Sequence, residues 1–143
     1  MNFLGLDYGD KTIGVAMSLN GRVATGVTTL DRRGPGAYRS SLKDLKTIIN
    51  QNLITHIVLG YPKHMNGEDS PRCERTLAFK EKLERYIKRI TVVLWDERLS
   101  TRAVGRVFEG KSARYEQHVD EMAAVYILQG YLDYLGYVDT PNH

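Results

Sequence analysis

The 143-residue chain lacks most of the features that mark secreted, membrane-bound or zinc-binding proteins. Its single cysteine, Cys73, excludes an internal disulfide and a zinc site built from cysteines. No apolar run approaches the roughly 20 residues needed to span a bilayer. The first seven residues include a carboxylate and no basic leader, so we expect no signal peptide. We therefore expect a cytoplasmic protein without a membrane anchor.

What the chain does contain is typical of one folded domain. Apolar residues make up 42% of the sequence and charged residues 26%, and this length suffices for a single hydrophobic core. Because no repeat, linker or low-complexity segment divides the chain, we predict one domain over residues 1–138 and a short tail over residues 139–143. The net charge of +3 and the pI near 9.0 are a weak indication of a nucleic-acid partner.

The hydrophobic pattern predicts an α/β order. Three strands joined by short turns open the chain, and Asn20-Gly21 marks the second turn. Helices and further strands then alternate. The predicted strands cover residues 3–8, 13–18, 22–30, 56–61 and 91–95, and the predicted helices cover residues 38–52, 71–89, 100–109 and 119–134. Hairpin-linked strands that pass into β-α-β units predict a five-stranded mixed sheet covered by helices.

Three acidic residues lie at the ends of these predicted elements. Asp7 interrupts an apolar strand, where a buried carboxylate without compensation would be costly. Glu97 follows Asp96 directly after the fifth strand, a position suited to a cleft above the sheet edge. Asp120 lies near the start of the last apolar helix. Each has an ordinary structural explanation as well. Asp7 could cap a turn, Glu97 could be a polar residue between a strand and a helix, and Asp120 could complement the helix dipole.

Taken together, the three acids predict a metal centre. Hard oxygen ligands without cysteine suit Mg²⁺ or Mn²⁺ rather than zinc. Paired metals about 4 Å apart between such carboxylates can activate a water and stabilise the leaving oxygen of a phosphodiester. Since the acids alone would repel a phosphate, a nuclease also needs basic residues close by.

Basic residues crowd two segments of the chain. The segment 72–89 is interleaved with glutamates and is interpreted as a solvated helix face. The segment 98–114 has fewer acids and follows Glu97 directly. The candidates for phosphate contact are Arg98 and Arg102 in that segment, with Lys11 and Thr12 in the first turn of the chain.

Several motifs closely resemble the YqgF/RuvX family of bacterial proteins, relatives of the RuvC-type resolvases within the ribonuclease-H-like superfamily. In chain order they are Leu6-Asp7-Tyr8-Gly9, Lys11-Thr12-Ile13-Gly14-Val15-Ala16, Leu59-Gly60-Tyr61-Pro62, Asn66-Gly67, Asp96-Glu97-Arg98-Leu99-Ser100-Thr101 and Val119-Asp120 before Ala123-Ala124. The resemblance runs from about residue 2 to about residue 136. The opening Asp-Tyr-Gly together with Asp-Glu-Arg-Leu-Ser-Thr is highly specific.

The resemblance implies a ribonuclease-H-like fold in which Asp7, Glu97 and Asp120 are the catalytic, metal-binding acids. It also implies a Mg²⁺- or Mn²⁺-dependent nuclease that matures the 5′ end of pre-16S ribosomal RNA. Two alternatives stay open: a Holliday junction resolvase acting on DNA, and a non-catalytic nucleic-acid-binding factor of ribosome assembly. The choice between a monomer and a homodimer is open as well.

Two positions depart from the family's pattern. His118 stands where a lysine often precedes the helical aspartate, so a phosphate contact there is expected to be weaker or pH-dependent. Tyr61-Pro62 stands where several resolvase relatives carry an acid after the fourth strand. We therefore expect one tightly held metal, and a second only when the substrate supplies ligands.

Overall fold

A computed structural model describes residues 1–62, 66–96 and 119–138. In chain order these residues form β1 (Phe3–Tyr8), β2 (Thr12–Ser18), β3 (Thr25–Asp31), α1 (Ala37–Gln51), β4 (His56–Tyr61), α2 (Pro71–Tyr86), β5 (Thr91–Asp96) and α3 (Val119–Val138). The helix predicted at residues 100–109 and the tail at residues 139–143 lie outside the described ranges. Within those ranges, no helix combines the length and the apolar character needed to cross a membrane.

The strands form one mixed sheet with the order β3-β2-β1-β4-β5. β1, β2 and β3 are antiparallel neighbours, whereas β4 pairs in parallel with β1 and β5 pairs in parallel with β4. The predicted fold class, a five-stranded mixed sheet covered by helices, is thus confirmed. Because β1, β4 and β5 are parallel, their C-terminal ends lie at the same edge of the sheet.

Alternate residues of β1 face two different cores. Leu4 and Leu6 point to one face of the sheet, where α1 and α2 cover them. Both side chains are fully buried. The apolar residues that α1 and α2 contribute to this core are Leu42, Leu45, Ile49, Phe79 and Leu83.

The opposite face of the sheet packs against α3. Phe3 joins a second apolar cluster there with Leu128 of α3. Gly5 lies on the same face, and a Cβ at this position would lie only 2.6 Å from the Cβ of Leu128. Glycine therefore lets α3 approach the sheet closely. Since Asp7 follows Gly5 by two positions, alternation places its side chain on the α3 face as well.

β3 begins at Thr25 rather than at residue 22, and the preceding turn explains why. The Asn20 side chain accepts hydrogen bonds from the amides of Arg22 at 2.8 Å and Val23 at 3.0 Å. Such a side-chain bond to the following backbone competes with strand pairing. The turn therefore includes residues that the hydrophobic pattern assigned to the strand.

α2 begins as predicted but ends before residue 89. Ser70 is its N-cap and Pro71 its first residue. At the other end, Ile87 adopts an extended conformation and its amide donates to the Leu83 carbonyl at 2.8 Å. Arg89 has a φ of 62°, which a helix does not allow. The helix therefore ends at Tyr86.

Candidate active site

The first turn of α3 lies directly over the start of β2. The Thr12 hydroxyl donates a hydrogen bond to Oδ2 of Asp120, and both residues are half-buried. A Cβ on Gly14 would overlap the carbonyl oxygen of Asp120, so this approach requires glycine. Asp7 is the partner of Gly14 in the β1–β2 register. Asp7 and Asp120 thus belong to neighbouring elements at one edge of the sheet.

The end of β5 reaches the same edge. Its last residue, Asp96, pairs in register with Tyr61 at the end of β4. Asp96 directly precedes Glu97 in the chain. The parallel strands therefore bring the C-terminal end of β5, like that of β1, to the edge where α3 begins.

The structure describes only some of the predicted site residues. Asp7, Thr12 and Asp120 lie together at the sheet edge, and Lys11 is exposed in the turn between β1 and β2. The other four predicted residues lie outside the described ranges, and their roles stay predictions: Glu97, Arg98, Arg102 and His118.

Two arginines hold the backbone of the turn between β1 and β2. Nε of Arg32 donates to the Gly9 carbonyl at 2.7 Å, and its guanidinium carbon lies 4.5 Å from the centre of the Tyr8 ring. Nη2 of Arg72 donates to the Tyr8 carbonyl at 3.0 Å. Hydrogen bonds from charged donors are stronger than neutral ones. Together they fix the chain directly after Asp7.

The interpretation of residues 72–89 as a solvated helix face is therefore wrong for Arg72. The interpretation fits Arg75 better, because this side chain is exposed and its Nη2 lies 3.1 Å from Oδ1 of Asp10 in an ion pair. Both side chains of that pair are more than half exposed, so it contributes little to stability. No sequence period links Arg32 or Arg72 to the turn, and the hydrophobic pattern could not have singled them out.

A further acid, Glu121, adjoins Asp120 in the first turn of α3. Its side chain reaches Gly26 of β3, where a Cβ would overlap the Glu121 carboxyl group. Two acids in a first helical turn complement the helix dipole. In the sequence, this residue is indistinguishable from an ordinary helix-start acid.

The described donors suit a hard divalent cation. Asp7 and Asp120 offer carboxylate oxygens, and Thr12 orients Asp120 as hydrogen-bonding partners orient metal ligands. Within the described ranges, no three His, Cys, Asp or Glu side chains form a group that could hold a metal ion. The third predicted ligand, Glu97, falls outside those ranges. The donors present are all oxygens, the type that Mg²⁺ and Mn²⁺ prefer.

Comparison with solved structures defines the class of protein by its fold. The chain matches Thermus thermophilus RuvC in complex with a Holliday junction substrate with a TM-score of 0.60 at 10% identity, over 95% of this chain and 96% of that one. A second Thermus thermophilus RuvC structure gives a TM-score of 0.59, also at 10% identity, over 95% of this chain and 97% of that one. The fold is therefore ribonuclease-H-like, as the resemblance implied.

Sequence comparison identifies the family. A sequence model of RuvX, described as "Holliday junction resolvase", matches residues 1–134. Two proteins named "Putative pre-16S rRNA nuclease", from Agathobacter rectalis and Desulfitobacterium hafniense, are each 45% identical over 139 residues. These alignments cover 94% of this chain, and 96% and 94% of the two relatives. The chain belongs to the RuvX family.

Proposed function

We propose that this chain is a metal-dependent nuclease that hydrolyses phosphodiester bonds in the 5′-end maturation of pre-16S ribosomal RNA. The observation that carries the proposal is that Asp7, the register partner of Gly14, and the Thr12–Asp120 pair lie at the same sheet edge, where β5 ends. The names of the relatives supply the substrate. Mg²⁺ or Mn²⁺ is proposed as the cofactor, and Asp7, Glu97 and Asp120 as the residues that hold it.

The protein's own residues hold and orient the reacting groups. Asp7 and Asp120 place negative charge on the α3 face, and the bond from Thr12 keeps the Asp120 carboxylate in one orientation. These carboxylates would hold a divalent ion, which would make a bound water more acidic and neutralise charge on the phosphate. Arg32 and Arg72 hold the backbone next to Asp7, so that its carboxylate is positioned before substrate binds.

Basic residues around the three proposed metal-binding acids are proposed to contact the substrate. Lys11 is exposed in the turn beside Asp7, where it can pair with a phosphate oxygen. Arg98 and Arg102, which follow Glu97 in the chain, are proposed to neutralise phosphates of the substrate. His118 is proposed to make a weaker contact that strengthens when its imidazole is protonated.

Cleavage of a DNA four-way junction is a second candidate function, favoured by the description of the family model. A resolvase that makes paired cuts needs a two-fold dimer, because each subunit supplies one active site. A monomer in solution would therefore count against it. A third candidate is a binding factor that has lost catalysis, and it does not explain why Asp7 and Asp120 lie at the same edge of the sheet.

The experiment that tests the proposal compares two substrates side by side. End-labelled pre-16S ribosomal RNA and a synthetic four-way DNA junction are incubated with the protein in Mn²⁺ or in EDTA. Cleavage of the RNA only in Mn²⁺ would support the leading proposal. Cleavage of the junction alone would support the resolvase. Binding without cleavage of either substrate would contradict both nuclease proposals.

A further inference from the structure

A groove between α1 and α2 lies on the face of the sheet opposite α3. We call it the α1–α2 groove. Its volume is about 590 Å³, and it is lined by Gly36, Tyr38, Arg39, Leu42, Lys82 and Tyr86. Among the residues that the structure describes, no carboxylate lines it. The groove therefore combines aromatic rings with uncompensated positive charge.

Each tyrosine of the groove has a lysine over its ring. Nζ of Lys82 lies 5.8 Å from the ring centre of Tyr38, and Nζ of Lys46 lies 5.0 Å from that of Tyr86. Tyr86 is 41% exposed, so part of its side chain is accessible to a ligand. Proteins bind single-stranded nucleic acids by this combination, because bases stack on aromatic rings and phosphates pair with the adjoining cations.

The basic residues in or beside the groove, Lys82 on α2 and Arg39 and Lys46 on α1, differ from two other basic residues of α2. Lys80 and Arg85 each pair with a glutamate one turn away, at 3.1 and 3.7 Å. Within the described ranges, neither Lys82 nor Lys46 nor Arg39 has a carboxylate within ion-pair distance. Their charge is thus available to an anionic ligand.

The groove and the candidate active site lie on opposite faces of the sheet, and both adjoin the end of β1. The Tyr8 ring stacks on Phe79 at a centroid distance of 4.1 Å, and the Tyr38 ring lies 6.4 Å from the same Phe79 ring. Tyr8 follows Asp7 in β1. The Arg32 guanidinium lies over the Tyr8 ring. Basic and aromatic groups therefore extend from the sheet edge at Asp7, past Arg32, to Tyr38 at the start of the groove.

We propose that the α1–α2 groove binds a single-stranded segment of the substrate that adjoins the bond to be cleaved. Bases of this segment stack on Tyr86 and Tyr38, and its phosphates pair with Lys46 and Lys82. The choice of RNA rests on the proposed function. The stacking and the charge pairing apply to any single strand, so a DNA strand of the same sequence should compete for the groove.

Binding measured without cleavage tests this proposal. The affinity of the full chain for a short fluorescein-labelled single-stranded RNA is followed by fluorescence anisotropy in EDTA. Tyr86→Ala should weaken binding about fivefold or more, because one stacking platform is lost, whereas Tyr86→Phe should bind normally. Lys82→Gln should weaken binding and reduce the salt slope by about 1. Lys43→Gln, which removes an exposed α1 charge outside the groove, should have little effect.

Wild-type affinity in both Tyr86→Ala and Lys82→Gln would overturn the proposal. So would an equal loss in Lys43→Gln and Lys82→Gln, since the effect would then come from overall charge alone. Because Lys82 is exposed, its variant gives a result even if Tyr86→Ala folds poorly. Binding in EDTA does not require catalysis, so the groove can be confirmed in a protein that fails to cleave RNA. Conversely, failure of the groove would leave the Mn²⁺-dependent cleavage test unaffected.

Discussion

The hydroxyl of Thr12 donates a hydrogen bond to the carboxylate of Asp120, 108 residues further along the chain. This bond joins the start of β2 to the first turn of α3 and holds one proposed metal ligand beside the strand that carries another. Thr12 was predicted as a contact to the nucleic-acid backbone. In the structure its hydroxyl has a protein partner, whereas the contact to nucleic acid stays a prediction.

Removal of this hydroxyl should weaken metal binding more than folding. Thr12→Val keeps the shape of the side chain and loses the bond to Asp120, and loss of such a supporting bond typically costs about 10- to 100-fold in metal affinity or activity. Thr12→Ser keeps a hydroxyl and should retain most of the activity. The measurement is the Mn²⁺ concentration needed for half-maximal cleavage. Equal values for the valine and serine variants would contradict this role.

The close approach of α3 to β2 should make Gly14 intolerant of a side chain. Gly14→Ala would push its Cβ into the Asp120 carbonyl, and overpacking of this kind costs about 1–3 kcal/mol of the free energy of unfolding. Gly136→Ala is the matched control. Among the residues that the structure describes, a Cβ there meets nothing within 4 Å, so alanine should stabilise α3 by up to about 1 kcal/mol. Urea unfolding measures both changes, and an unaltered midpoint for Gly14→Ala would contradict the packing described here.

The arginine contacts to the turn predict a local change in dynamics. Arg32→Gln removes the charged donor to the Gly9 carbonyl, and such bonds contribute about 1.5–3 kcal/mol. Because the Gly9 amide itself donates to Thr12 at 2.9 Å, its hydrogen exchange should become faster. Arg75→Gln, which breaks only an exposed pair, should leave this amide protected. Equal protection of the Gly9 amide in both variants would contradict the proposed role of Arg32 in holding this turn.

Tyr38 gives the fold a dependence on alkaline pH. Burial, with a further contribution from neighbouring Tyr8, raises the pKa of Tyr38 from 10.0 to about 12. A raised pKa in the folded state favours the neutral phenol. Its contribution to stability is therefore complete below pH 10 and is lost as the pH rises from 10 towards 12.

Carbon-13 labelling of the tyrosine rings measures this pKa directly by NMR. The Tyr38 signal should titrate near pH 12, and Tyr38→Phe should make stability less dependent on pH between 10 and 12. A midpoint close to 10 would show that Tyr38 is more exposed in solution than the structure indicates.

The sequence was sufficient for the parts of the fold that compact apolar runs define. The bounds of β1 and β4 coincide with the predicted strands, because each run ends at a polar turn or at Pro62. The start of β3 and the end of α2 could not be predicted. They depend on the bonds that the Asn20 side chain makes and on the left-handed backbone at Arg89, which leave no mark on hydrophobic periodicity.

The sequence likewise indicated some residues of the candidate site but not the contacts between them. Asp7 and Asp120 could be singled out because each is an acid at the edge of an apolar element. The Thr12–Asp120 bond and the arginine contacts to the turn join residues far apart in the chain. Only the strand order and the packing of α3 bring them together, so residue spacing could not reveal them.

The most direct measurement is Mn²⁺-dependent cleavage of end-labelled pre-16S ribosomal RNA by the wild type, Asp7→Asn and Asp10→Asn. The two variants lose the same charge three positions apart, but Asp10 is exposed in the turn and lies outside the proposed metal centre. Asp10→Asn should cleave at nearly the wild-type rate, whereas Asp7→Asn should keep its fold by circular dichroism and lose cleavage. Cleavage at the wild-type rate by a folded Asp7→Asn protein would contradict the proposed catalytic centre.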